Sequence, residues 1–220
     1  MSSPFPEPDA DTIKAMNKAW SRTDLARYLI RWDRSPNAEI PTGFSDYSWR
    51  ACDVGCGFGK YLIRESTRHP DRGYLGIDKG VLRGRNMLKR FQATGNANLY
   101  GIHANVIPVL AGFPDDFLDQ ITILYPNPWW PAKHRKKRWS YHPLLPKLIR
   151  LLKPGGTILL ASNEKFYLGE WIYALRNHPA LAKLDLSYAG SIHESEGRSH
   201  FETKFIETDV PCGEVSFTRC

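Results

Sequence analysis

Asp53-Val54-Gly55-Cys56-Gly57-Phe58-Gly59 is the stretch on which the reading of this chain turns. The apolar run Arg50–Val54 leads into three glycines within five residues, and the amphipathic run Lys60–Arg68 follows. Strand, glycine turn and helix in that order open a doubly wound sheet, whose ligands bind at the carboxyl ends of the strands. Glycines at such a turn admit positive φ and let backbone N–H groups approach a ligand without a Cβ in the way. The loop alone is not diagnostic, because nucleotide, flavin and methyl-donor sites all use one.

Its neighbours narrow the choice. A dinucleotide fingerprint needs its third glycine at position 60, which is Lys60, so the spacing here is G-x-G-x-G. Asp53, at the mouth of the loop, would repel a pyrophosphate but suits the ammonium of a methionine moiety. Asp78 ends the second strand-like run and is placed to take two ribose hydroxyls. These features together point to a methyl donor, S-adenosylmethionine, held by Asp53, Gly55, Gly57, Gly59 and Asp78. The competing reading makes Asp53 a helix cap and Asp78 a surface turn residue. After the third strand, Asn105 either reads an adenine edge as donor and acceptor or caps the helix that follows.

Outward from the loop, short apolar runs alternate with amphipathic ones. Strands are expected at Arg50–Val54, Gly73–Ile77, Asn98–Ile102, Gln120–Tyr125 and Thr157–Ala161, with two more, Leu184–Ala189 and Glu214–Thr218, closing the sheet as an antiparallel hairpin. Helices are expected at Lys60–Arg68, Val81–Ala93, Val106–Leu110, Leu144–Leu152 and Lys165–Asn177. Lys153-Pro154-Gly155-Gly156 is read as the breaker between helix and fifth strand. Alternation of this kind means right-handed crossovers and a parallel sheet covered on both faces. The fold class is therefore α/β and Rossmann-like, a mostly parallel seven-stranded sheet. Residues 1–45 are expected to form an N-terminal extension, proline-rich, extended and poorly ordered at first, then helical from Asp9 to about Trp32. Residues 46–220 form the main domain.

Composition bounds the rest. With 220 residues, 42% of them hydrophobic, the chain can bury one sizeable core. No apolar run approaches a membrane span, and the N-terminus lacks the pattern of a signal peptide, so a cytoplasmic protein without membrane contact is expected. Cys52, Cys56, Cys212 and Cys220 show neither C-x-x-C nor zinc-knuckle spacing, which suits free thiols and no metal. The net charge is +7, and five of the positives lie in Lys133-His134-Arg135-Lys136-Lys137-Arg138. A charge run is often only a solvated face, but a dense cationic block also attracts polyanions through counterion release.

The block follows Tyr125-Pro126-Asn127-Pro128-Trp129-Trp130-Pro131 directly. Prolines on both sides of Asn127 stiffen the turn and hold one polar side chain at the carboxyl edge of the fourth strand. Trp129 and Trp130 offer flat faces for a base, while Lys133, Arg135 and Lys136 suit flanking phosphates. The alternative is that the tryptophans only pack beneath the loop.

At these motifs the sequence resembles the bacterial tRNA (guanine-N7)-methyltransferases, class I S-adenosylmethionine-dependent enzymes. Asp53–Gly59, Gly76-Ile77-Asp78, Pro126-Asn127-Pro128-Trp129, Ala132–Arg138 and Leu152–Gly156 carry the resemblance, which spans about Arg50 to Cys220. It implies methyl transfer to tRNA or another structured RNA, with Asn127 at the catalytic position. It also implies substrate contacts from Lys133, Asn163, Ser199 and Glu202. The chain departs from the family pattern at several places. Asn127 stands where Asp is usual, Pro131 where a Lys binds substrate, and Ala104 where an acid is expected. Ala161-Ser162-Asn163 replaces Ala-Thr-Asp. For the family's Thr-Lys-Phe-Glu, Ser199-His200-Phe201-Glu202 is the preferred register over Thr203-Lys204-Phe205-Ile206. Donor-side positions are largely kept and acceptor-side positions altered, as in a divergent member.

Guanine N7 carries a lone pair and no proton, so its methylation is an in-line displacement that needs no general base and relies on alignment. An Asp would orient the guanine and favour the charge developing on it, whereas Asn127 can orient through its carbonyl oxygen but adds no charge. Two alternatives stand beside this. Asn-Pro-Trp distantly resembles the Asn-Pro-Pro-aromatic motif of enzymes that methylate exocyclic amino groups. A paralogue that binds RNA but turns over weakly is the other.

Overall fold

The computed structural model describes residues 3–21, 39–181, 186–193 and 197–220. Strands β1 (Arg50–Val54), β2 (Gly73–Ile77), β3 (Leu99–Ile102), β4 (Leu118–Leu124), β5 (Leu152–Ser162), β6 (Leu186–His193) and β7 (Cys212–Arg219) form one sheet in the order β3-β2-β1-β4-β5-β7-β6. Strands β1 to β5 run parallel, and β7 pairs antiparallel with both β5 and β6. The chain builds outward from β1 to β3, then returns to add β4 against the other side of β1. The order reverses between β1 and β4, and the loops leaving these strands part to form the crevice where such sheets bind ligands.

Helices α1 (Ala10–Ser21), α2 (Lys60–Arg68), α3 (Val81–Thr94), α4 (Val106–Ala111), α5 (Leu145–Leu151), α6 (Lys165–Asn177) and α7 (His200–Glu207) accompany the strands. The Rossmann-like fold read from the sequence is the fold observed. All five residues of β2 are buried, as expected of a central parallel strand covered on both faces. The larger apolar core joins Cys52, Leu75, Ile121 and Ile158 of the strands to Leu148, Leu168 and Trp171 of the helices.

Four local readings change. Lys153–Gly156 lies inside β5, because α5 stops at Leu151 and pairing with β4 starts at Leu152. The register then jumps from Leu118↔Leu152 to Gln120↔Thr157, a bulge at which Gly155 takes φ +80° and Gly156 packs close to Leu118 O. Helix α7 was not expected. Its signal is Ser199-His200-Phe201-Glu202 itself, a capping-box pattern, with Ser199 Oγ accepting from the Glu202 N–H at 3.1 Å. The cationic block, for which the sequence predicts neither helix nor strand, is a short 3-10 helix, Ala132–Lys137.

The fourth change concerns the proline stretch, read as loosely held. Phe5 is buried in the main core, beside Gly213. Gly169 of α6 leaves room for the Pro6 carbonyl, since a Cβ there would stand 1.8 Å from that oxygen. Helix α1 follows, with Met16 fully buried and Trp20 Nε1 donating to Ser140 O at 3.0 Å. The remaining helical positions of that reading, Leu25, Tyr28, Leu29 and Trp32, lie outside the described residues, as do the first two residues of the Leu184–Ala189 strand. No helix among the described residues is long and apolar enough to cross a membrane.

Candidate active site at the carboxyl edge of the sheet

Parallel pairing sets Asp53 of β1 beside Thr122 of β4. Thr122 Oγ1 donates to Asp53 Oδ1 at 2.8 Å, and the carboxyl group is buried. Burial pushes its pKa up to about 7, with the nearby Asp78 carboxylate adding to the rise and the Thr122 bond opposing it. Asp53 Oδ2 has no hydrogen-bond partner among the described residues. A buried carboxylate with one oxygen uncommitted is suited to receive a cation.

The glycine loop wraps over this acid. Gly55, Gly57 and Gly59 take φ of +76°, +62° and +75°. The positions differ in what a side chain would meet. At Gly55 there is nothing within 4 Å of an added Cβ, whereas at Gly59 the ring of Phe91 on α3 lies 2.2 Å away. Gly59 is thus glycine for packing, whereas Gly55 faces open space. Asp78 links loop to helix. It accepts from the Gly57 N–H at 3.0 Å and from the Gly80 N–H at 2.7 Å, and Arg83 Nε lies 3.5 Å away. Asn105 caps α4, its Oδ1 accepting from the Ile107 N–H at 3.2 Å. The capping alternative therefore holds for that oxygen.

Beyond β4 the chain enters Pro126–Trp129 through two unusual residues. Tyr125 and Trp129 have φ of +52° and +48°, a region that costs side-chain-bearing residues energy unless their surroundings enforce it. Three sets of bonds enforce it here. Asn127 Oδ1 accepts from the Trp129 N–H at 2.9 Å. Arg138 Nε donates to Pro128 O at 2.7 Å, and its Nη2 donates to Trp129 O at 3.0 Å. The Tyr125 hydroxyl donates to Glu202 Oε1 at 2.8 Å. The outcome is a rigid loop, one strand away from the glycine loop, that presents the exposed Asn127 and the half-buried Trp129.

A family described as "Putative methyltransferase" matches residues 49–213, most of the chain and every site residue just described. The tRNA (guanine-N(7)-)-methyltransferase of Rhizobium etli is 33% identical over 78% of this chain and 72% of that protein. This chain belongs to the tRNA (guanine-N7)-methyltransferase family. The protein of the same description from Rhizobium johnstonii is 33% identical over 57% of this chain, and the match spans 54% of that protein, about half its length. Among solved structures, the 16S rRNA methyltransferase KamB superposes with a TM-score of 0.56 at 17% identity, over 83% of this chain and 95% of that one. An adenine(1408)-N(1) 16S rRNA methyltransferase from Catenulisporales acidiphilia, described with cosubstrate SAM, gives 0.53 at 14% identity, over 90% and 92%. These likenesses are of fold. A methyltransferase of this family takes its methyl group from S-adenosylmethionine, and the uncommitted Asp53 oxygen with the space over Gly55 fits that cationic amino acid.

The remaining residues of the family member divide into surface and support. Lys133 and Lys136 are exposed and Arg135 is half-buried along the 3-10 helix, and Lys137 Nζ lies 4.2 Å over the Trp129 ring. Arg138, counted in the sequence with the solvated cations, is buried. It pairs with Glu170 of α6, which also accepts from Ser140 Oγ at 3.0 Å. Glu202 is fully buried, held by Tyr125 and by Arg198 Nη2 at 2.7 Å, and Ser199 caps α7. Asn163, at the end of β5, donates from Nδ2 to Glu164 Oε1 at 3.0 Å. Sequence reasoning missed Thr122, Tyr125 and Glu170. Thr122 has a signal, a polar residue in an apolar central strand; Glu170 shows only as an acid on the apolar side of a helix.

Proposed function

We propose that this chain methylates N7 of a guanine in tRNA, in the cytoplasm where tRNA is modified. One observation carries the reading: the pinned Pro126–Trp129 loop and its cationic turn stand one strand from the Asp53–Gly59 cradle. The likeness of this chain to the Rhizobium etli enzyme, 33% identity over 78% of its residues, supports it.

Asp53 receives the cationic amino group of the donor, Gly55 leaves the approach without a side chain, and Asp78 accepts from the ribose hydroxyls. The unused amide donors of Asn105 face the adenine. S-adenosylmethionine supplies a methyl group on a sulfonium, which an unprotonated lone pair displaces in line. No residue has to remove a proton, so the task of the protein is alignment. Trp129, braced by Lys137, stacks with the base, and Asn127 fixes its rotation. With one lone pair of Asn127 Oδ1 taken by the Trp129 N–H, the second lone pair and the amide N–H groups remain for the guanine edge. Lys133, Arg135 and Lys136 hold flanking phosphates. Asn163 borders the acceptor space, while Ser199 and Glu202 act from behind it by fixing α7 and Tyr125. The amino-group reading is not favoured, because the relatives are described as guanine-N(7) enzymes.

The nucleoside profile of tRNA from cells with and without the protein tests this. N7-methylguanosine should fall at one position when the protein is absent. An unchanged N7-methylguanosine level, with another methylated nucleoside lost instead, would overturn the assignment.

A further inference from the structure

Helix α3 carries a face that the methyl-transfer reading leaves unused. From Lys79 to Pro114 the sequence contains no Asp or Glu, and Lys79, Arg83, Arg85, Lys89 and Arg90 are all exposed. Of these five, Arg83 alone has an ion pair among the described residues, with Asp78. A solvated helix face ordinarily mixes signs through i,i+4 pairs, whereas a single-sign row repels itself and gathers counterions. Leu82, Arg85 and Lys89 fall on one stripe, flanked by the exposed Val81 and Leu88.

This face runs into the candidate site through a line of rings. Arg90 Cζ lies 5.2 Å from the centre of the Phe58 ring in the glycine loop. Phe58 stands edge-on to His200 at 6.2 Å, and His200 lies 6.1 Å from the half-exposed Phe201, both at the start of α7. Helix α7 is joined by Glu202 to Tyr125, where the acceptor loop begins. Cations interleaved with rings, of which His200 and Phe201 are exposed and Phe58 half-buried, suit an unpaired or looped nucleic-acid strand, its phosphates on the cations and its bases on the rings. In the sheet, α3 connects β2 to β3 on one side of β1, and the Ala132–Lys137 turn follows β4 on the other.

We propose that Arg85, Lys89 and Arg90, with Phe58 and Phe201, form a second RNA-contacting surface, so that the RNA is gripped on both sides of the target nucleotide. This rests on the RNA-methyltransferase reading above. The α3 surface holds the strand leaving the donor-loop side of the mouth, and Lys133–Lys137 hold the other side. Charge complementarity selects the partner: a row without acids fits a continuous polyanion, and the adjoining rings fit its bases.

The test compares wild type with Arg85→Gln/Lys89→Gln, two outward-facing changes that keep helix propensity. Affinity of the full chain for an unmodified tRNA transcript is measured across a salt series. The slope of log affinity against log salt should fall by about two, with affinity about tenfold weaker near 0.15 M salt. KM for tRNA should rise to match, while kcat and donor affinity by calorimetry stay unchanged. Lys133→Gln/Lys136→Gln provides the control. Loss in that variant with none in the α3 variant overturns this surface and leaves the RNA reading standing. A wild-type chain that binds no tRNA overturns both. An α3 variant that keeps its tRNA affinity but releases phosphatidylserine vesicles assigns the face to membrane and overturns the proposal.

Discussion

Thr122 Oγ1 donates to Asp53 Oδ1 at 2.8 Å, and this bond is what opposes the rise of the Asp53 pKa, to about 7, that burial imposes. Burial disfavours the charged form of this acid, and a cation beside it would favour that form.

Donor affinity should therefore depend on pH. With Asp53 receiving the amino group as proposed, its carboxylate form is the one that binds, so affinity should climb with pH up to about 7. It declines again above roughly 8, where an α-amino group loses its charge. Calorimetric titrations with S-adenosylmethionine from pH 5.5 to 9 check this. A flat profile below 7 would show that Asp53 does not meet the amino group.

The same shift has a stability consequence of opposite sign. The folded value lies above the ordinary 3.8, so between about 4 and 7 the folded state binds more protons than the unfolded one. Stability from this group is present below that window and is lost as pH rises through it. Asp53→Asn keeps the acceptor for Thr122 and removes the buried charge. It should raise Tm at pH 8 while abolishing donor binding, and a lowered Tm would contradict the account.

Gly55 and Gly59 should respond differently to alanine. Both changes strain a positive φ, by about 1–3 kcal/mol. Gly59→Ala also drives a Cβ into Phe91 and should unfold at markedly lower denaturant. Gly55→Ala meets no protein atom, so its larger loss should be in donor affinity. Denaturant midpoints and donor titrations of the two variants separate these effects.

Arg138 and Glu170 make a buried pair whose breakage leaves an uncompensated charge. Arg138→Met alone should cost about 3–5 kcal/mol, and Arg138→Met/Glu170→Leu considerably less. Activity should not recover with stability in the double variant, because Arg138 also donates to the carbonyls of Pro128 and Trp129. Equal activity in the double variant and wild type would show that the loop holds its shape without Arg138.

Asn127→Ala should lower kcat about 100-fold with donor affinity unchanged, since it removes both the bond to the Trp129 N–H and the group proposed to face the guanine. Asn127→Asp keeps an acceptor for that N–H and adds a charge favourable to the developing purine cation, so kcat should rise. Single-turnover methyl transfer to tRNA measures both. A large loss in the Asp variant would sink this view of the residue.

The parallel half of the fold was legible because each strand from β1 to β4 announces itself by an apolar run ending in a polar or glycine turn. The positions of Asp53 and Asp78 were legible for the same reason, since both stand where strands end. Long-range pairing was not legible. Nothing local says that Arg138, fifth cation in a run of five, turns inward to Glu170, or that Phe5 crosses to Gly213. The bulge at Gly155-Gly156 reads as a breaker because glycines signal a change of direction without saying whether pairing resumes. Ser199 to Glu202 carried a capping signal, obscured by its likeness to a substrate motif.

The most direct measurement is methyl transfer in vitro, from labelled S-adenosylmethionine to unmodified tRNA transcripts, followed by digestion and separation of nucleosides. Label in N7-methylguanosine with wild type, and none with Asp53→Asn, is what a donor cradle at Asp53–Gly59 beside the Asn127–Trp129 loop predicts. Label in an amino-methylated nucleoside, or no product despite measured donor binding, would contradict it.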